Sequence, residues 1–271
     1  MIAVVKVGSS SVTPETVSRL CGELAAAHAA GHTIVVVSSG AIAVGWDILD
    51  RGTQRPSDPA VLQAVSAVGQ HRLMRMWQDG FEPHGVLAGQ VLLAPLDFVH
   101  RTQYLHARGT LRHLAALGVV PVVNENDAVA DEEIRFSDND RLAALVAHLV
   151  GAQLLVLLTD TPGLLTADPR RDTEASLIEE VVEIDQQLER LAGGPGSSVG
   201  SGGMASKLAA AITAGRFGMV MKNTGQLASL LTKGRWQDAE AVESAAPSLP
   251  YGAVIAVGCL LFVWMSAKAH G

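Results

Sequence analysis

Cysteine, lysine and excess positive charge are what this chain has least of. Cys21 and Cys259 are its only cysteines, and neither stands at metal-ligand spacing from a second Cys or His. Cys21 falls on the apolar face of a predicted helix and Cys259 in an apolar run, so both read as packing residues of a protein from a reducing cytoplasm. The 20 basic residues are outnumbered by 27 acidic ones, for a net charge of −7, which argues against binding a nucleic-acid backbone. There is no G-x-x-x-x-G-K-[ST] loop, no G-x-S-x-G elbow, no H-E-x-x-H, no internal repeat and no heptad pattern. The start, MIAVVKVGSS, lacks the charged region, long apolar core and cleavage site of a secretory signal. The longest apolar run, Gly252 to Ala267, has 16 residues, short of the roughly 20 that a spanning helix needs, so a buried final strand is preferred to a membrane segment.

What is present is enough apolar material for a core, 48% of 271 residues, in one large or two small domains. Only five lysines occur, and two of them, Lys6 and Lys207, sit beside glycine-rich turns, where a cation suits a phosphate better than it suits general solubility. The chain's most informative stretch runs from Val119 to Leu142. Val119, Val120, Pro121, Val122 and Val123 read as a buried parallel strand, after which polarity switches to Asn124, Glu125, Asn126 and Asp127. In an open α/β sheet, the carboxyl end of a strand is where ligands bind. A second polar cluster, Ser137, Asp138, Asn139 and Asp140, precedes an apolar helical run and can cap it. A cap alone needs one Asp or Asn, and two clusters supply far more.

The remaining pattern alternates strands and helices. Ile2 to Val7 is a strand that breaks at Gly8, Thr13 and Pro14 start a helix carrying Val17, Leu20, Cys21 and Leu24, and Gly31 stops it. Thr33 to Val37 is the next strand, ending in Ser38, Ser39 and Gly40, so both strands finish in small residues that let backbone amides approach an anion. Residues 59–79 carry a helical stripe of Val61, Ala64, Val65, Val68, Leu73, Met76 and Trp77, whose Met and Trp read as core. Gly85 to Leu93 reads as a strand, 100–117 as a helix with Tyr104, Leu111 and Leu114 inward and its histidines at the surface, and Leu142 to Val150 as a helix. Glu132 to Phe136 reads as one arm of a small hairpin, and Leu154 to Leu158 as a strand ending at Thr159 and Asp160. Gly193 to Gly203 holds six glycines in eleven residues and runs without a polar spacer into Met204, Ala205, Ser206, Lys207 and an Ala-rich helix. That continuity favours a phosphate-cradling loop over a passive linker.

Six segments together resemble the amino acid kinase family, and within it the branch that phosphorylates glutamate: VVKVGSSSVT at 4–13, IVVVSSGAIAVG at 34–45, NENDAVA at 124–130, SDNDRLAAL at 137–145, LLTDTPGLLTADPR at 157–170 and GSGGMASKLAAA at 200–211. The resemblance implies a single domain over 1–271, a three-layer αβα sandwich around a mostly parallel open sheet. About residues 1–150 would form a substrate half and about 151–271 a nucleotide half, with an atypical tail over 220–271 and without the PUA domain that follows in many such kinases. It implies ATP, with Mg2+ carried on it, and L-glutamate as the small-molecule substrate of a cytoplasmic homo-oligomer in proline synthesis. Lys6 would reach the transferring phosphate, Lys207 would support the ATP phosphates, and Asp140 would position the two lysines. Ser39, Asp127 and Asn139 would bind glutamate, and Thr159, Asp160, Ser201, Gly202, Gly203, Met204, Ala205, Ser206 and Lys207 would form the nucleotide site. The altered tail also suits a non-catalytic ATP-binding homologue or a sister kinase for another small acid.

Overall fold

The computed structural model describes residues 1–50, 52, 56–130, 139–158, 173–174, 176, 180–181, 207, 210, 219–223, 251–257 and 260–266. In chain order these include β1 (Ile2–Val7), α1 (Pro14–Ala29), β2 (Thr33–Ser38), α2 (Ala41–Ile48), α3 (Pro59–Phe81), β3 (Leu87–Leu93), α4 (Pro95–Val99), α5 (Arg101–Ala116), β4 (Val119–Glu125), α6 (Asn139–Val150) and β5 (Leu154–Leu157). Four later strands follow: β6 (Glu180–Val181), β7 (Met219–Asn223), β8 (Tyr251–Val257) and β9 (Leu260–Ser266).

The strands make one sheet in the order β3-β4-β2-β1-β5-β8-β9-β7-β6. From β3 to β8 the chain of neighbours is parallel, and β9 and β6 run against their partners. Continuous Val and Ile runs suit strands buried on both faces, and the packing divides accordingly. Ala3, Val5, Val7, Ile34, Val36, Leu154 and Val156 pack with α1 and α3, whereas Val4, Val35, Val37, Leu155 and Leu157 pack with α5 and α6. Period-two alternation therefore sends the side chains of β1, β2 and β5 to two helical layers, giving the expected three-layer αβα sandwich.

Helix α1 starts as its residues dictate. The Thr13 hydroxyl accepts from the backbone N–H of Thr16 at 3.2 Å, and Pro14 occupies the first turn. Cys21 is fully buried on this helix, and burial pushes its thiol up to about 12, which removes it from nucleophilic chemistry at neutral pH. Cys259 lies outside the described residues.

Two readings need correction. Val61, Ala64 and Val68 are exposed on α3, while Val65, Leu73 and Trp77 are buried. The reason is that α3 meets α2 through its backbone: a Cβ on Gly45 would collide with the carbonyl oxygen of Val65, and one on Gly69 with that of Ala41. That contact rotates the outer valines to solvent and turns Ser66 inward. The apolar run near the C-terminus is two antiparallel strands, β8 and β9, instead of one. At about 3.3 Å per residue, sixteen residues would far overrun strands of four to seven residues, so the run folds back on itself. Among the described residues, no helix is long and apolar enough to cross a membrane. The predicted hairpin arm at Glu132 to Phe136 lies outside the described residues.

Candidate active site

Because β1, β2, β4 and β5 are parallel, their carboxyl ends share one rim of the sheet. Lys6 lies level with Val37 and Leu157, and Val7 with Ser38. The chain leaves β1 toward β2 on one side and returns to β5 on the other, so the end of β1 is a topological switch point, where ligands enter such sheets. The backbone continues this layout: Ser39 N–H donates to Val7 O at 3.0 Å and Leu158 N–H to Lys6 O at 2.9 Å. Gly40, at φ +109°, turns the chain from β2 into α2, a conformation that favours glycine.

In β1 the odd-numbered side chains face α1 and α3, so Lys6 projects to the opposite face, where α6 begins. Asp140, in the first turn of α6, is completely buried. Its Oδ1 stands 2.5 Å from Lys6 Nζ, and its Oδ2 accepts from Lys207 Nζ at 2.8 Å. Lys6 and Lys207 are themselves 3% and 6% exposed, so this is a desolvated cluster of two ammonium groups on one carboxylate. Buried charge is costly unless it is paired in good geometry, and the first turn of a helix is a favourable place for the carboxylate that holds the two lysines. Lys207 is helical, and Ala210, one turn on, packs in the same core cluster as α6.

Asn139, the residue before Asp140, belongs to a second network. Its Nδ2 donates to Ser38 O at 2.9 Å and to Asn124 Oδ1 at 2.8 Å. Asn124 in turn donates to Gln70 Oε1 on α3 at 2.7 Å, and Trp77 Nε1 donates to Ser38 Oγ at 3.0 Å. Two residues beyond β4, half-buried Asp127 accepts from Ser66 Oγ at 2.6 Å. The opening of α6 thus places one side chain in the lysine cluster and the next in an amide network reaching α3.

The structure therefore brings Lys6, Lys207 and Asp140 into contact and sets Ser39, Asp127 and Asn139 along the same rim. Thr159, Asp160, Ser201, Gly202, Gly203, Met204, Ala205 and Ser206 lie outside the described residues. Sequence reasoning missed Ser66 and Gln70 as site residues, gave Asn124 no role beyond its place in the polar cluster after the strand, and treated Trp77 as plain core. A signal for them exists: Gln63, Ser66, Gln70 and Trp77 are spaced 3, 4 and 7 apart, one helical face carrying polar groups where it should be apolar. Strand β4 also runs on to Glu125, so Asn124 and Glu125 belong to the strand.

The described residues contain no group of three or more His, Cys, Asp or Glu side chains that could hold a metal ion. The chain is 46% identical over 223 residues to glutamate 5-kinase of Pelobacter propionicus, and 47% identical over 222 residues to that of Burkholderia mallei. These alignments cover 80% and 79% of this chain but 60% and 59% of those proteins, so the chain spans about three fifths of the length of the curated relatives it matches. Among solved structures, aspartate kinase from Synechocystis aligns over 66% of this chain and 32% of its own, at 21% identity and a TM-score of 0.47. The model of the amino acid kinase family matches residues 1–221, a span that contains every side chain of the lysine cluster and the amide network, and the chain belongs to that family.

Proposed function

We propose that the protein is an ATP-dependent kinase that phosphorylates the side-chain carboxylate of L-glutamate, the opening step of proline synthesis. The observation that carries this reading is the buried Lys6–Asp140–Lys207 cluster at the switch point, with Asp127 beyond the end of β4 on the same rim. An oxygen of the γ-carboxylate attacks the γ-phosphorus of ATP, a new P–O bond forms, and the bond to the β,γ-bridging oxygen breaks, leaving its electron pair on ADP. The nucleophile is already ionised at neutral pH, so no general base is required, and catalysis reduces to in-line positioning and charge neutralisation.

Lys6 meets the transferring phosphoryl group, Lys207 stabilises the charge that grows on the leaving phosphate, and Asp140 holds both ammonium groups in place. Asp127 receives the substrate's ammonium group by charge complementarity, and Ser39 and Asn139 line the same pocket. Residues to about 150 carry the substrate. Residues from about 151, including Thr159, Asp160 and Ser201 to Lys207, carry the nucleotide. Mg2+ would arrive on the ATP phosphates and screen their charge. A cytoplasmic homo-oligomer completes the reading.

Incubation with ATP, Mg2+ and L-glutamate in hydroxylamine should release ADP and trap γ-glutamyl hydroxamate in equal amounts. Folded protein that releases no ADP on addition of glutamate would overturn the assignment. Preference for aspartate, N-acetylglutamate or UMP would move it to a sister kinase.

A further inference from the structure

We infer that Ser66 is a positioning residue that fixes the amine-binding carboxylate of Asp127 and so sets the enzyme's demand for an α-amino group, an inference that rests on the proposed glutamate pocket. Ser66 lies in the middle of α3 and is 3% exposed. A serine inside a helix ordinarily turns to solvent or bonds back to its own helix. Here the hydroxyl reaches 61 residues along the chain and donates to Asp127 Oδ2 at 2.6 Å, a short, charge-assisted bond. Its neighbours on the same helical face do likewise: Gln63 Nε2 donates to Ala130 O at 3.1 Å, and Gln70 Oε1 accepts from Asn124 at 2.7 Å. Three consecutive polar positions of α3 thus hold the segment from Asn124 to Ala130.

The helix carrying these groups has little freedom to drift. Gly45 and Gly69 bring the α2 and α3 backbones into direct contact on either side of Ser66's turn, and α2 begins at the Gly40 turn beside Ser39. Ser66 therefore presents its hydroxyl from a rigid pair of helices. The plane of the Asp127 carboxylate is set before substrate arrives, and a carboxylate already oriented toward an ammonium group loses less freedom on binding it.

The full chain carrying Ser66→Ala tests this. Alanine is the best helix former, and the change removes one oxygen, so the variant keeps the helix. The KM for L-glutamate should rise about tenfold, because the carboxylate must then be ordered as the substrate binds. The kcat and the KM for ATP should hold within about twofold, because the contact is as strong in the ground state as in the transition state. Inhibition by glutarate, which has both carboxylates and no amine, should keep its wild-type Ki. An active variant with unchanged glutamate KM would overturn the inference alone. A rise of the glutarate Ki in parallel with the glutamate KM would also overturn it, by showing a general loosening of the pocket. A wild-type protein without glutamate-dependent turnover would overturn the inference together with the function on which it rests.

Discussion

Two adjoining networks meet at the start of α6, and they are built on opposite principles. Around Asp140 the groups are charged, few and almost wholly desolvated, with two lysines on one carboxylate. Around Asn139 they are mostly amides, hydroxyls and an indole linked in a chain from Ser38 through Asn124 to α3. A cluster of buried charge is suited to stabilising charge that moves during a reaction, since the low local dielectric magnifies every interaction. A chain of neutral hydrogen bonds is suited to holding shape, because each bond has a preferred direction and contributes modestly. The difference teaches that consecutive residues, one facing each network, let a single helix terminus join a charged cluster to an orienting one, which under the proposed function would couple phosphate chemistry to substrate orientation.

The strongest way to break the charged side is Asp140→Ala. It leaves two buried ammonium groups without the carboxylate between them, and losing one partner of a buried pair costs about 3–5 kcal/mol. A fall in the unfolding free energy of that order, together with loss of turnover, is expected in urea titration; a variant as stable as the parent would show that the cluster is solvated in solution. Next in size is Lys207→Ala, which should lower kcat by on the order of 10²-fold by removing one preorganised charge from the leaving phosphate. Steady-state kinetics decide this, since a rise confined to the glutamate KM would make Lys207 a substrate ligand. On the orienting side, Asp127→Asn keeps the shape but removes the charge that the proposed function sets against the substrate's ammonium group. Calorimetry should find weakened glutamate binding, by about 1.5–3 kcal/mol for a hydrogen bond to a charged group, with ATP affinity retained. Lost ATP affinity would merge the two networks into one.

Much of this architecture was legible in the chain. The runs at Ile2 to Val5, Ile34 to Val37 and Val119 to Val123 are apolar throughout, which only a strand covered on both faces tolerates, and each gives way to small, charged or polar residues. Thr13, Pro14 and Gly31 punctuate α1 as their backbone preferences require. Lys6 and Lys207 stood out because lysine is scarce, and Asp140 because it stands in a polar cluster ahead of an apolar helical run, while only the family resemblance linked the three. Ser66 and Gln70 were hidden because hydropathy periodicity on α3 was read from its valines, and a helix–helix contact made through glycine leaves no apolar signal. What decides which face of α3 turns inward is the meeting of Gly45 with Val65 O, a tertiary event between segments twenty residues apart. The paired strands of the final apolar run were obscured for a related reason: composition identifies buried strands without saying where the chain reverses.

The contact between Gly45 and Gly69 also bears on how the proposed glutamate pocket can breathe. Where helices meet through side chains, a rotamer hop can open space for a larger ligand at little cost. At this junction the surfaces are backbone, and nothing there can rotate away. The pocket wall bearing Ser66 and the turn bearing Ser39 can therefore shift only as one body, with α2 and α3 moving together. Amide hydrogens along both helices should then exchange with solvent as a single cooperative unit, slowed in concert when glutamate is bound.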